Sequence, residues 1–96
     1  MKTLSYEKSG VHDVIKILSN KNRYSIMKLI LKARNDYCVR ELSEALGISQ
    51  SATSHQLAYL EACGVVRSVR TGKTKCYIPT NSTFTKKITK VINSLK

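Results

Sequence analysis

At 96 residues the chain has room for one domain with a thin core, since a chain of this size buries only about two thirds of its unfolded surface, and help from a second subunit suits it. Hydrophobic content of 42% is ordinary for a globular chain, no apolar run is long enough to span a bilayer, and Met1-Lys2-Thr3-Leu4-Ser5-Tyr6-Glu7 lacks a signal peptide's apolar core, so a cytoplasmic protein is expected. Lys and Arg number 17 against 6 acids, for a net charge of +11, and every acid lies at or before Glu61; Arg67, Arg70, Lys73, Lys75, Lys86, Lys87, Lys90 and Lys96 follow unbalanced, a surface that fits a polyanion.

Residues 1–10 show no period and are expected to be a flexible arm, leaving 11–96 as the domain. Val11, Val14, Ile15 and Leu18 repeat at helical spacing, and Ile17 widens that stripe, as on a helix covered from two sides. Asn20 can cap a second helix running to about Arg34, with Met27, Ile30 and Leu31 inward and Arg23 packing its stem while its head stays in water. Asn35-Asp36 signals a turn, and Tyr37-Cys38-Val39 is too short for more than an isolated bridge, which puts Cys38 at the N-cap of the next helix.

Leu42, Ala45 and Leu46 mark one side of a short helix, Gly47-Ile48-Ser49 breaks it, and Ala52, Leu57 and Leu60 mark one face of another. Gly47 suits the left-handed position that ends a helix, Ile48 plugs the angle, and Ser49 can cap the following amides, so the pair forms a helix-turn-helix. The second helix leaves Gln50, Ser51, Ser54 and His55 on its exposed N-terminal side, where amide, hydroxyl and imidazole groups can hydrogen-bond base edges in a major groove. A solvated helix face with a good cap is the plain alternative.

Gly64 ends that helix, Val65 to Val69 forms a strand, Thr71-Gly72-Lys73-Thr74 turns, and Lys75 to Ile78 returns before Pro79. This basic ribbon, carrying Arg67, Arg70, Lys73 and Lys75, has the shape of a wing that lies along a phosphate backbone. Asn81-Ser82-Thr83 caps a final helix whose stripe of Phe84, Ile88, Val91, Ile92 and Leu95 has little local core to cover. A second copy's equivalent surface is the expected partner, with Val11, Val14, Ile15 and Leu18 joining the interface, and two-fold symmetry would set two reading helices one DNA turn apart. The fold class is thus mostly α with a small β-hairpin wing, a dimeric winged helix-turn-helix in the order α-α-α-α-β-β-α.

Leu18-Ser19-Asn20-Lys21-Asn22-Arg23-Tyr24-Ser25-Ile26-Met27 and Glu41 to Leu57, above all Ser49-Gln50-Ser51 followed by Ser54-His55-Gln56-Leu57, resemble the ArsR/SmtB family of winged-helix repressors over roughly residues 11 to 95. The resemblance implies a homodimer with first and last helices at the interface, bound to an inverted-repeat operator that it leaves when an inducer binds. The family's sensing residues match less of the chain. Asn81 to Lys96 contains no Asp, Glu, His or Cys for the last-helix zinc site, and Tyr37-Cys38-Val39-Arg40 supplies one cysteine of the family's Cys-Val-Cys and arginine for the other.

Three cysteines, Cys38, Cys63 and Cys76, lie far apart, and an odd number argues against a disulfide framework. Cys38 is the candidate sensor of a thiophilic metal, a metalloid or an oxidant, because helix N-terminal amides and Arg40 favour its thiolate; Cys63 and Cys76 are expected as small packed side chains, and no metal site is assigned. The leading function is a dimeric, sequence-specific repressor of transcription that binds double-stranded DNA through Ser49, Gln50, Ser51, Ser54, His55, Arg67, Arg70, Lys73 and Lys75. The alternative is a non-sensing architectural protein that coats DNA with the same wing and charge. An enzyme using Cys38 as nucleophile and His12 or His55 as base is disfavoured, since nothing in the sequence brings these groups together and the core is too thin for a pocket.

Overall fold

The computed structural model describes residues 11–32 and 36–95, without the side chains of Val11 and Thr71. The expected arm at 1–10, the expected end of the second helix at 33–34, residue 35 of the expected turn and residue 96 of the domain lie outside the described residues, as does the side chain of Val11. The element order is α1 (Val11–Leu18), α2 (Lys21–Lys32), β1 (Tyr37–Cys38), α3 (Val39–Leu46), α4 (Gln50–Ala62), β2 (Val66–Thr71), β3 (Thr74–Pro79) and α5 (Thr83–Ser94). Among the described residues the architecture is a winged helix-turn-helix with five helices.

The helices begin where their caps stand. Asn20 Oδ1 accepts from the backbone N–H of Asn22 at 2.9 Å and of Arg23 at 3.0 Å, which starts α2. Ser49 Oγ accepts from Ala52 N–H at 3.0 Å and Ser82 Oγ from Thr85 N–H at 3.1 Å, which start α4 and α5. Gly47 ends α3 at φ 70°, in the left-handed region that a Cβ would disfavour.

One difference from the expected order is β1. Tyr37 pairs with Tyr77 and Cys38 with Cys76, so the wing is not a two-stranded ribbon but a three-stranded antiparallel sheet ordered β1-β3-β2. A two-residue strand has no period of its own; β3 supplies its partner from far along the chain. At the other edge Arg70 pairs with Lys75 and Thr71 with Thr74 around a two-residue loop whose first position, Gly72, takes φ 64°.

The core gathers Ile26, Met27 and Ile30 from α2, Leu42 from α3, Leu57 and Leu60 from α4, Val65 and Val66 at the start of the wing, and Tyr77 from β3. Two positions expected on the apolar sides of α3 and α4 turn outward. Ala45 and Ala52 are exposed, while Ser43 and Thr53 are buried in their place. Both hydroxyls are satisfied within their own helix, Ser43 Oγ donating to Arg40 O at 2.9 Å and Thr53 Oγ1 to Ser49 O at 2.9 Å, so neither residue carries an unmet polar group into the core. On α1 it is Ile17, 2% exposed, that points inward beside Val14, while Ile15 is 59% exposed.

The α5 stripe also finds more local core than its sequence suggested. Phe84, Ile88 and Ile92 are buried within this one chain, and Val91 and Leu95 remain outside. The reason is that α1 packs on α5 and the wing's exit anchors its start. Thr80 Oγ1 donates to Gly64 O at 2.7 Å and lies 2.6 Å from the buried Thr85 hydroxyl, tying the first turn of α5 to the base of the sheet.

Arg23 departs from expectation as well. Its head is held by the protein as well as by water: Nε donates to Ile17 O at 3.1 Å, Nη2 to Lys16 O at 3.1 Å and Nη1 to Gln56 Oε1 at 3.2 Å, while the guanidinium lies 4.2 Å over the Tyr59 ring. The last carbonyls of a helix lack intrahelical donors, so the end of α1 offers acceptors that water would otherwise fill.

Candidate nucleic-acid interface

Two surfaces bear on function, and each rests on the order of the helices. On the first, α4 stands with its N-terminal turns toward solvent, and Gln50, Ser51, Ser54 and His55 are all exposed. Ser49 is exposed too, but its hydroxyl is engaged as the cap. Thr53, Leu57 and Leu60 fix the opposite face in the core, so the polar face has one orientation.

Beside α4 runs the wing. Gln50 and Ser54 line one open groove of about 640 Å³ together with Lys73 and Lys75 of the wing, Arg40 of α3 and Glu61 near the end of α4. This brings amide and hydroxyl donors of the helix and two wing cations onto one concave face. Ser51, His55, Arg67 and Arg70 are exposed outside that groove's lining. Lys75 holds its ammonium 5.8 Å from the centre of the Tyr77 ring, a contact that orients the side chain while leaving its charge available.

Two residues of this face carry roles that the sequence did not reveal. Arg40 sits in the groove wall, with its Nε 3.7 Å from Glu44 Oε2 in a pair exposed enough to leave the cation free for another anion. Glu61 accepts from Ser68 N–H at 3.3 Å and from Ser68 Oγ at 3.2 Å, so the last acid of the chain straps β2 to α4. Its being the final acid before an all-basic stretch was the one available signal.

The second surface is an apolar groove of about 670 Å³ between α1 and α5, lined by Val14, Ile15, Leu18, Val91 and Leu95, with Lys87 and Lys90 also on its wall.

The cysteines are arranged otherwise than expected. Cys38 and Cys76 form a disulfide across the β1–β3 ladder, which an odd cysteine count had argued against. Counting leaves one thiol over but does not forbid a pair, and the register of β1 on β3 is what puts these two face to face. Cys63 keeps its thiol, half-buried against the core, and burial raises its pKa above the ordinary value, with Arg23 and Lys16 opposing and Asp13 adding to the rise. Among the described residues no three His, Cys, Asp or Glu side chains are grouped to hold a metal. With its sulfur bonded to Cys76, Cys38 is not a nucleophile in this structure. Among the described residues no helix is long and apolar enough to cross a membrane.

Residues 20–68 match the family model for bacterial regulatory proteins of the arsR family. The chain is similar to the putative arsenical resistance operon repressor ArsR2 of Halobacterium salinarum, 34% identical over 70 residues that cover 73% of this chain and 59% of that protein. It is also similar to the cadmium resistance transcriptional regulatory protein CadC of Listeria innocua, 31% identical over 80 residues that cover 83% of this chain and 66% of that protein. The chain therefore spans only about three fifths to two thirds of the length of these relatives. Among solved structures the transcriptional repressor BigR of Xylella fastidiosa superposes with a TM-score of 0.76 at 28% identity, covering 88% of this chain and 81% of that one.

Proposed function

The chain belongs to the arsR family of bacterial regulatory proteins, and from that premise we propose that it is a homodimeric repressor that binds an inverted-repeat operator in double-stranded DNA. The observation that carries this reading is the groove shared by Gln50 and Ser54 of α4 with Lys73 and Lys75 of the wing. A reading helix supplies groups that discriminate base edges, and the adjacent cations supply phosphate contacts that hold the helix in register. Net charge alone would serve a DNA-coating protein equally well; a polar, chemically varied helix face beside a charged wing favours a sequence reader.

The apolar groove between α1 and α5 is assigned to a second copy of the chain. Its exposed residues are Ile15, Val91 and Leu95, with Leu18 partly covered, whereas Val14, Phe84, Ile88 and Ile92 support the interface from within the core. An effector of the thiophilic class is suggested by the arsenical and cadmium resistance regulators among its relatives. Reduced Cys38 and Cys76 would offer such an ion two sulfurs, short of the three thiolates, or two with an imidazole, that usually hold one.

Selecting bound duplexes from a random pool tests the reading. An inverted repeat should emerge, preferred over random DNA by at least about a thousandfold at fixed salt. Alanine at Gln50 or Ser54 should compress that preference by roughly 1 to 3 kcal/mol. Alanine at Arg70 or Lys73 should instead weaken all sequences alike and reduce the salt slope by about one per lost phosphate contact. No preference over random DNA would leave the coating protein as the correct reading.

A further inference from the structure

The disulfide between Cys38 and Cys76 adds a covalent link between β1, which opens the helix-turn-helix, and the wing, which is otherwise tied to the helices by Tyr77 in the core and by the Glu61 bonds to Ser68. β1 is two residues long, pairs only with β3, and leads directly into α3, the first helix of the helix-turn-helix. β3 is the return strand of the wing, and Lys75, next to Cys76, lines the groove with Gln50 and Ser54. The two sulfurs are not equivalent. Cys76 is 1% exposed, whereas Cys38 is partly exposed and is the N-cap residue of α3, with its backbone N–H donating to Glu41 Oε1 at 2.9 Å.

We propose that Cys38 is a peroxide-reactive site with Cys76 as its resolving thiol, and that the disulfide they form locks the wing onto the helix-turn-helix in its operator-binding geometry. In the reduced chain Cys38 stands at the opening of α3, and its partial exposure admits a small oxidant that the buried Cys76 does not meet first. The thiolate attacks one peroxide oxygen: an S–O bond forms, the O–O bond breaks, and the departing hydroxide takes a proton to become water. Cys76 sulfur then attacks the sulfenic sulfur, the S–S bond forms, the S–O bond breaks, and the second water leaves with the Cys76 proton. Two thiols have lost two electrons and two protons, and one hydrogen peroxide has become two waters. A dithiol reductant reverses the change by exchange.

The oxidised form is the tighter binder because the crosslink fixes beforehand what DNA must otherwise order. Without it, the two pairs of β1 with β3 hold the opening of α3 to the wing, and operator binding has to order that opening against β3. The affinity part of this inference rests on the operator-binding reading; the lock itself does not.

The test compares the full chain after hydrogen peroxide and after dithiothreitol, by intact mass, peptide mapping, amide exchange and affinity for the selected operator. Peroxide should remove two hydrogens and link the Cys38 and Cys76 peptides, slow exchange from residue 37 to 42 and along β3, and raise operator affinity roughly tenfold. Cys38→Ser, where serine can still cap α3, should bind like reduced wild type and ignore peroxide, and Cys63→Ala should respond as wild type does. Free Cys38 and Cys76 thiols after peroxide, or equal exchange in the two forms, overturn the lock. Equal operator affinity overturns its regulatory role. If no operator is selected while peroxide still links the cysteines and slows exchange, the repressor reading fails and the lock stands.

Discussion

Cys63 shows how one residue's surroundings become a measurable property. Its thiol is half-buried beside α4's end, and burial raises its pKa, more than Arg23 and Lys16 lower it. A raised thiol pKa means that the folded chain holds a proton the unfolded chain has released, so this contribution to stability is complete below the ordinary thiol value near 9.0 and is lost as pH rises through the higher folded value. With Cys38 and Cys76 oxidised, iodoacetamide should label Cys63 severalfold more slowly at pH 8 than it labels the same thiol in urea. Between pH 8 and pH 10, wild type should lose more denaturation midpoint than Cys63→Ala; equal losses, with equal labelling rates, would show that the thiol is not shielded. Residues such as Ser43 and Thr53 show the converse, since their hydroxyls donate to carbonyls three and four residues back and enter the core without cost to the neighbours. Hydropathy assigns Ala45 and Ala52 to those positions because a polarity satisfied within the same turn is invisible in a hydrophobic pattern.

Among the elements, Arg23 is where three helices meet. It lies in the first turn of α2, closes the carbonyls at the end of α1, and reaches Gln56 and Tyr59 on the outer turns of the reading helix. Arg23→Ala should cost about 2 kcal/mol in urea unfolding, because it removes three charge-assisted hydrogen bonds and leaves Ile17 O to water, while Lys16 O keeps the Ser19 hydroxyl. Arg23→Lys should recover less than half, since an ammonium cannot fork between Ile17 O and Gln56 while stacking on a ring. A loss below about 0.5 kcal/mol for the alanine variant would reduce this cluster to a surface decoration. The helix-turn-helix was legible because each of Gly47, Ile48 and Ser49 has a local task, and the caps at Asn20 and Ser82 likewise act within three residues. β1, the Arg23 cluster and the Cys38–Cys76 pair were not, because each depends on a partner 33 or more residues away or on a register set by another strand. Within the interface, exposure of Gln50 and Ser54 followed from helical period, but their sharing a groove with Lys73, Lys75 and Arg40 required the wing's placement against α4.

At the scale of the whole molecule, assembly decides whether two reading helices can engage one operator together. The last-helix stripe divides into a buried half, Phe84, Ile88 and Ile92, and an outer fringe, Val91 at 36% and Leu95 at 61% exposure, which faces the groove with Ile15 at 59%. That division determines which substitutions can test a dimer. A charge at Ile88 or Ile92 would enter the chain's own core and unfold it, so the outcome would report folding rather than association. Ile15→Glu combined with Leu95→Glu places two carboxylates on the outer fringe only, and the folded monomer should lose at most about 0.5 kcal/mol of stability, as expected for exposed positions. In the dimer the same charges would be buried opposite their symmetry copies, where apolar contact is lost and like charges meet. Sedimentation should therefore show wild type as a dimer at micromolar concentration and the double variant as a monomer with an unchanged circular dichroism spectrum. Operator affinity should fall by roughly a hundredfold or more although neither residue touches DNA, because each half-site is then bound without the effective concentration that the second copy supplies. Binding to a single half-site should change little, which separates lost coupling from a damaged reading helix. A wild-type monomer, or a double variant that still sediments as a dimer, would assign the apolar groove to some other partner.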